Sequence, residues 1–245
     1  MPKSQNKRVS TRSLGSLPYQ ASGQYQKSSG PTRPYATKLI PKTVDDYVSI
    51  TDSKDMISNP LGEAINGVKQ GTADNQRTGK YIKLKSLRLR GSIQHNYSAA
   101  DTTGNIVSNI ARVIVVMSKL PDNSAAGPSL HTIFGNKDST GHTWNTILDD
   151  LKPNLSSRYR VLRDMVFACN PTSFNHEFGE DDDVINNYPF DEFIDLMNIK
   201  QQYRGPEDTD IELNKILVYA VALHNDADNF CKLTTFHSRL VFTDA

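Results

Sequence analysis

The first 44 of this chain's 245 residues contain no Asp or Glu. Cysteine is almost missing as well. Cys169 and Cys231 are the only two, 62 residues apart, with neither metal-ligand nor redox-motif spacing. They could form a disulfide, although two reduced core thiols are the simpler reading. This argues against a disulfide-stapled secreted scaffold and against a zinc module. The longest apolar run, Ile216 to Leu223, has eight residues, far short of the ~20 needed to span a membrane as a helix. Met1-Pro2-Lys3 leads into polar sequence without the apolar core of a signal peptide. Catalytic signatures are also scarce. Gly79-Lys80 has no Ser or Thr behind it, so no phosphate-binding loop forms, and the six histidines fall into no HExxH pattern. Nothing here favours an enzyme.

What is present is a division of charge. The net charge of +1 would by itself speak against a nucleic-acid partner. Yet the acid-free stretch carries Lys3, Lys7, Arg8, Arg12, Lys27, Arg33, Lys38 and Lys42, a total of +8, and the remainder carries 20 basic and 27 acidic residues, a net of −7. Residues 1–36 are crowded with Ser, Gly, Gln, Pro and Tyr. So few branched apolar residues cannot bury enough surface to offset the entropy of ordering the chain. Residues 1–43 therefore read as a disordered basic arm and 44–245 as the folded body. A plain solvated tail would look similar. Against it stand the complete lack of acids and the alternation of Tyr19, Tyr25 and Tyr35 with the cations, which suits stacking on single-stranded bases. The pair Lys7-Arg8 alone is too weak a signal for nuclear import.

The body alternates with period two. Apolar residues fall on even positions in Tyr81–Lys85 and on odd ones in Leu87–Ile93, so a β-bulge is expected near Ser86. Arg112–Met117 is β-branched and reads as a strand buried on both faces. Further strands are expected over 159–167, 193–203, 216–224 and 233–242, with turns at 101–104, 121–123, 204–206 and 225–228. Only Thr143–Leu151 looks helical, with Thr143 as N-cap and Pro153 as the stop. Interrupted strands with little helix point to an all-β sandwich or barrel. Arg77, Lys80, Lys83, Lys85, Arg88 and Arg90 place six cations in 14 residues with no acid among them. An ordinary solvated sheet face and a basic surface turned toward a polyanion explain them equally well. The acidic run Glu180–Asp183 lacks the spaced ligands and turn glycine of a calcium loop, and reads as a solvated loop.

Four segments, taken in order, carry a resemblance. They are Gln70-Gly71 with Asn75-Gln76-Arg77-Thr78-Gly79, running into Leu87–Gly91; Arg158–Asp164 with Cys169; Phe193–Leu196 with Tyr203-Arg204-Gly205; and the ending Leu240–Ala245. Together they resemble coat proteins of the satellite tobacco necrosis virus type, and capsid proteins of circular Rep-encoding single-stranded DNA viruses, geminiviruses included. The resemblance covers roughly residues 61–245, and the arm matches in character rather than in letters.

It implies a single eight-stranded jelly roll that self-assembles into a small icosahedral (T=1) shell of 60 subunits. The arms would lie inside, on a packaged single-stranded genome of DNA or RNA, without a membrane. About 480 arm cations would line such a shell, each able to neutralise one phosphate. The implied location is the virion, with passage through the host nucleus during assembly. The extra length in the loops around 120–145 and 172–190 would fall on the particle surface or at symmetry axes. The resemblance also implies a structural calcium ion between subunits, held by Asp244 and by the carbonyls of Thr78 and Tyr81. Asp45 or Asp46 of a neighbouring subunit would add a carboxylate. A second family calcium position has Thr72 in place of its aspartate. The alternative is a non-capsid single-strand-binding protein with a basic tail, and after it a jelly-roll ligand or lectin.

Overall fold

Alternating apolar and polar side chains organise the body into two antiparallel sheets. The computed structural model describes residues 40–46, 54–57, 60–97, 108–121, 127–135, 150–169, 184–226 and 229–245. The chain divides into two units, Met1–Lys38 and Leu39–Ala245. The first lies outside the described residues, and with it nearly all of the expected arm.

The larger sheet contains β1 (Lys42–Asp46), β2 (Lys54–Asp55), β4 (Tyr81–Tyr97), β7 (Val184–Tyr203), β8 (Ile211–Leu213), β10 (Asn225–Asp226) and β11 (Asn229–Asp244). Its strands run in the order β1-β11-β4-β7-β8, with β2 and β10 also paired to β11. The smaller sheet, in the order β3-β9-β5-β6, contains β3 (Glu63–Ala64), β5 (Asn109–Ser118), β6 (Tyr159–Cys169) and β9 (Lys215–Ala222). This is an all-β sandwich. Because β1 starts at Lys42, the body takes up residues that the sequence assigned to the arm.

The parity flip in β4 is real. Leu84 pairs with Ile199 and Ser86 with Asp195, so Lys85 alone faces Leu196–Asn198; the ladder to β11 shifts at the same place. Met197 and Asn198 absorb the extra length with φ of 49° and 63°. The bulge keeps Ile82, Leu84, Leu87 and Leu89 all on the buried side although their parity changes. A few residues on, Gly91 is obligatory, since a Cβ there would stand 2.3 Å from the Phe190 ring and 2.7 Å from the Thr235 carbonyl oxygen.

The main core draws on both sheets, with Leu87, Leu89 and Phe236 from the larger and Val113, Val115 and Val218 from the smaller. A second apolar cluster lies on the opposite face of the smaller sheet, where Ile114, Val116, Leu217, Tyr219 and Val221 meet Leu130, Ile133 and Phe134. Strand β5 is thus buried on both faces, as its unbroken β-branched run predicts. Each such side chain contributes about 1.5–3 kcal/mol when buried.

Two expectations are corrected in part. In the helix foreseen over 143–151, residues 143–149 lie outside the described residues. Its end is not helical: Leu151 forms a bridge with Phe134, and Pro153 opens a short 3-10 turn, Pro153–Leu155, instead of stopping a helix. The one described α-helix, α1 (Leu130–Ile133), is a single turn. The second is the loop expected over 172–190. Residues 184–190 belong to β7 and pair with β4, Pro189 lying opposite Ser92. Among the described residues β7 has no partner beside Pro189 other than β4, because only Gln202 and Tyr203 pair with β8, and a proline is tolerated at such an edge. The acidic run 180–183 and the turn at 101–104 lie outside the described residues. No helix among the described residues is long and apolar enough to cross a membrane.

Candidate functional site

Three of the four resembling segments meet at one end of the larger sheet, whereas Arg158–Asp164 and Cys169 lie on β6 of the smaller one. Arg77, in the loop between β3 and β4, is fully buried. Its Nε donates to the Val68 carbonyl at 2.8 Å and its Nη1 to Gly79 at 2.6 Å, while Nη2 donates to the Gly205 carbonyl. The guanidinium lies 3.9 Å from the centre of the Tyr203 ring. Burial lowers the Arg77 pKa, opposed by charge interactions with Tyr203 and Asp210. Beneath it, the buried Tyr203 hydroxyl donates to the Asn66 carbonyl at 3.1 Å and accepts from the Val68 N–H and from Gln201 Nε2, both at 2.9 Å. The Asn66 amide bonds in turn to Gln201, to the Asn214 carbonyl and to the Ile216 N–H. A cation and three polar side chains therefore knot together the 66–79 loop, the end of β7 and the start of β9.

This knot explains why Gln70-Gly71, Arg77-Thr78-Gly79 and Tyr203-Arg204-Gly205 occur together. Gln70 N–H donates to Pro206 and Gly71 N–H to Arg77. A Cβ on Gly71 would lie 1.8 Å from Gln76 Oε1, which accepts from the Ala73 N–H at 3.1 Å.

At its margin lies Asp244. Thr78 donates its backbone N–H to Asp244 Oδ1 at 3.0 Å, and Lys42 places its ammonium 2.8 Å from Oδ2. The same ammonium donates to the Gln76 carbonyl at 2.8 Å. Burial would raise the Asp244 pKa, but the bonds from Lys42 and Thr78 together hold it below the usual carboxylate value. Asp244, Thr78 and Tyr81 are thus brought together, as the calcium expectation requires. The donor set, however, does not fit a divalent ion. Both carboxylate oxygens already accept from N–H groups, and Thr78 turns its N–H toward Asp244 while its carbonyl accepts from Gln70 Nε2 at 3.4 Å. The Tyr81 carbonyl accepts from the Ala245 N–H at 3.3 Å. Asp45 is bonded to Arg239. Among the described residues, no three His, Cys, Asp or Glu side chains cluster as metal ligands.

The six-cation run is divided among different tasks. Arg77 is internal. Arg88 and Arg90 on the exposed face both bond to Asp191 across the β4–β7 ladder, which lowers the carboxyl pKa of Asp191 through the Arg88 bond first. Lys85 donates to the Asn198 side chain at the bulge. Lys80 and Lys83 are exposed. In the neighbouring strand, Arg239 pairs with Asp45. This face is a mixed lattice of charges, closer to the solvated-sheet reading than to a bare basic surface.

Of the eight arm cations, Lys3, Lys7, Arg8, Arg12, Lys27, Arg33 and Lys38 lie outside the described residues. Lys42 is in β1 and bonded as above. Cys169 and Cys231 are both free and buried; they come from different sheets and share a hydrogen bond that, with burial, pushes the Cys231 thiol up. The same bond lowers the Cys169 thiol. Sequence reasoning missed the Arg77–Tyr203–Asn66 knot. Its only signal was the pairing of two glycine-flanked motifs about 130 residues apart.

Comparison with curated proteins gives no match. A family model covers residues 2–242, arm and body alike. On that match the chain belongs to the geminivirus coat protein/nuclear export factor BR1 family, and its role is that of a viral coat protein.

Proposed function

We propose that this protein forms a small icosahedral shell of 60 copies and packages a single-stranded genome through its N-terminal arm. The observation that carries the reading is that one coat-protein family spans both the acid-free arm and the sandwich. Strand order supports it. Leaving aside the two- and three-residue pieces β2, β8 and β10, eight strands remain, although β3 too is only two residues long. Numbered one to eight along the chain, they lie as 1-8-3-6 in one sheet and 2-7-4-5 in the other. That interleaving is the order of a jelly roll, the fold of many capsid subunits.

The division of charge supplies the mechanism. Flexible Lys and Arg side chains neutralise phosphates without reading bases, so packaging by the arm is independent of sequence and weakens with salt. The body, with its mixed-sign surface, makes the contacts between copies, which symmetry closes into a shell. The virion is then the place of the assembled protein, with passage through the host nucleus during assembly.

The calcium ion of the resemblance is not part of this mechanism, because Asp244 is engaged by Lys42 and Thr78.

Electron microscopy of the purified full-length protein, with nuclease typing of its contents, tests the proposal. Closed particles containing single-stranded nucleic acid are expected. A soluble small oligomer that binds single strands would overturn it in favour of a non-capsid binding protein.

A further inference from the structure

The expected calcium position and the expected arm cation meet in one contact, and together they yield an assignment that neither implies alone. Lys42 is the last basic residue of the acid-free stretch, and Asp244 is the next-to-last residue of the chain. Strand β1 pairs with β11, Lys42 opposite Phe242, which brings the root of the arm beside the C-terminus. There the Lys42 ammonium sits 2.8 Å from Asp244 Oδ2 and 2.8 Å from the Gln76 carbonyl. Both side chains are largely shielded, at 21% and 23% exposure.

We propose that the Lys42 ammonium is itself the cation of this joint, taking the place of a divalent metal and fastening the arm's root to the C-terminal strand. Three features of the site argue for it. An ammonium offers three donors and no acceptor, and two of those donors already meet a carboxylate and a carbonyl. Calcium would require six to eight oxygen ligands; here both Asp244 oxygens are turned to N–H donors. To enter, a metal would have to displace a covalently tethered cation that already sits 2.8 Å from the carboxylate. Lys42 then serves as a clamp, and the packaging charge of the arm falls from eight to the seven cations Lys3 to Lys38. The assignment does not depend on packaging, and neither of its readouts does.

The test uses the full-length protein. Calcium binding is measured by titration calorimetry, and thermal unfolding is compared in chelator and in millimolar calcium. No saturable binding and no change of Tm are expected. A metal bound at a hundredfold excess over its Kd would instead raise Tm by roughly 5–10 °C. Saturable binding that Asp244→Asn abolishes would overturn the assignment. A double-mutant cycle provides the second arm. Lys42→Met and Asp244→Asn each remove the shared ion pair, besides the Gln76 bond of the one and the charge behind the Thr78 bond of the other, so the double variant is expected to lower Tm by clearly less than the sum of the two single losses. Fully additive losses would also overturn it. Lys42→Arg, which keeps the charge, is expected to recover part of the loss.

Discussion

Arg77 and Arg88 belong to one acid-free run of cations, eleven residues apart, and do opposite work. Arg77 sits in a closed corner with three carbonyls and an aromatic face around it. Arg88 stands on the open face of the sheet and shares Asp191 with Arg90. The corner turns a charge into architecture, because the buried Val68 carbonyl and the partly buried carbonyls of Gly79 and Gly205 all take their donors from it. The face leaves its charges to solvent, where exposed pairs are screened and contribute little. The lesson is that charge type does not determine role in this protein; the acceptors that the fold brings within reach do.

The comparison is tested most severely by Arg77→Ala. One buried and two partly buried acceptors lose their donor and the Tyr203 ring loses its cation, and a loss of about 3–5 kcal/mol is expected in the urea unfolding free energy. Arg77→Lys should recover only a fraction, since an ammonium cannot reproduce the planar fork. Tyr203→Phe comes next. It removes the hydroxyl that serves Asn66, Val68 and Gln201, with an expected cost of about 1–3 kcal/mol by the same measurement. A smaller effect is expected in acid. The Asp244 carboxyl has a lower pKa folded than unfolded, so its contribution is present above the unfolded value near pH 4 and is lost as pH falls through the folded value. Asp244→Asn should therefore flatten the stability profile below about pH 4 without altering its shape near neutrality. Least affected is Arg88→Ala, whose unfolding midpoint should match that of the parent in moderate salt. A clear drop would mean that the open face carries structural weight like the corner.

The fold was largely legible because alternation marks a half-buried strand directly. The parity flip near Ser86 even located the bulge at Lys85, and the unbroken run Val113–Met117 announced a strand covered on both sides. The first half of β7 was not legible. Its Asn186, Asn187 and Pro189 read as loop, and only its place at a sheet edge with no further described partner makes them acceptable in a strand. The corner was hidden for another reason. Arg77 looked like one more surface cation, and nothing local foretells that Tyr203 and Gly205 will close over it. Asp244 was found by resemblance, but its partner Lys42 had been counted with the arm. Only the pairing of β1 with β11 reveals the contact.

The central claim is that the arm binds the genome while the body builds the shell. It is tested most directly by the salt dependence of single-stranded DNA binding, measured for the full-length chain and for a chain begun at Ile40, which keeps Lys42 and its clamp. For seven arm cations the full-length protein should show log K falling against log salt with a slope of about −5. The shortened chain should fold and lose most of both the affinity and the slope. Equal affinity and equal slope in the two proteins would contradict the account.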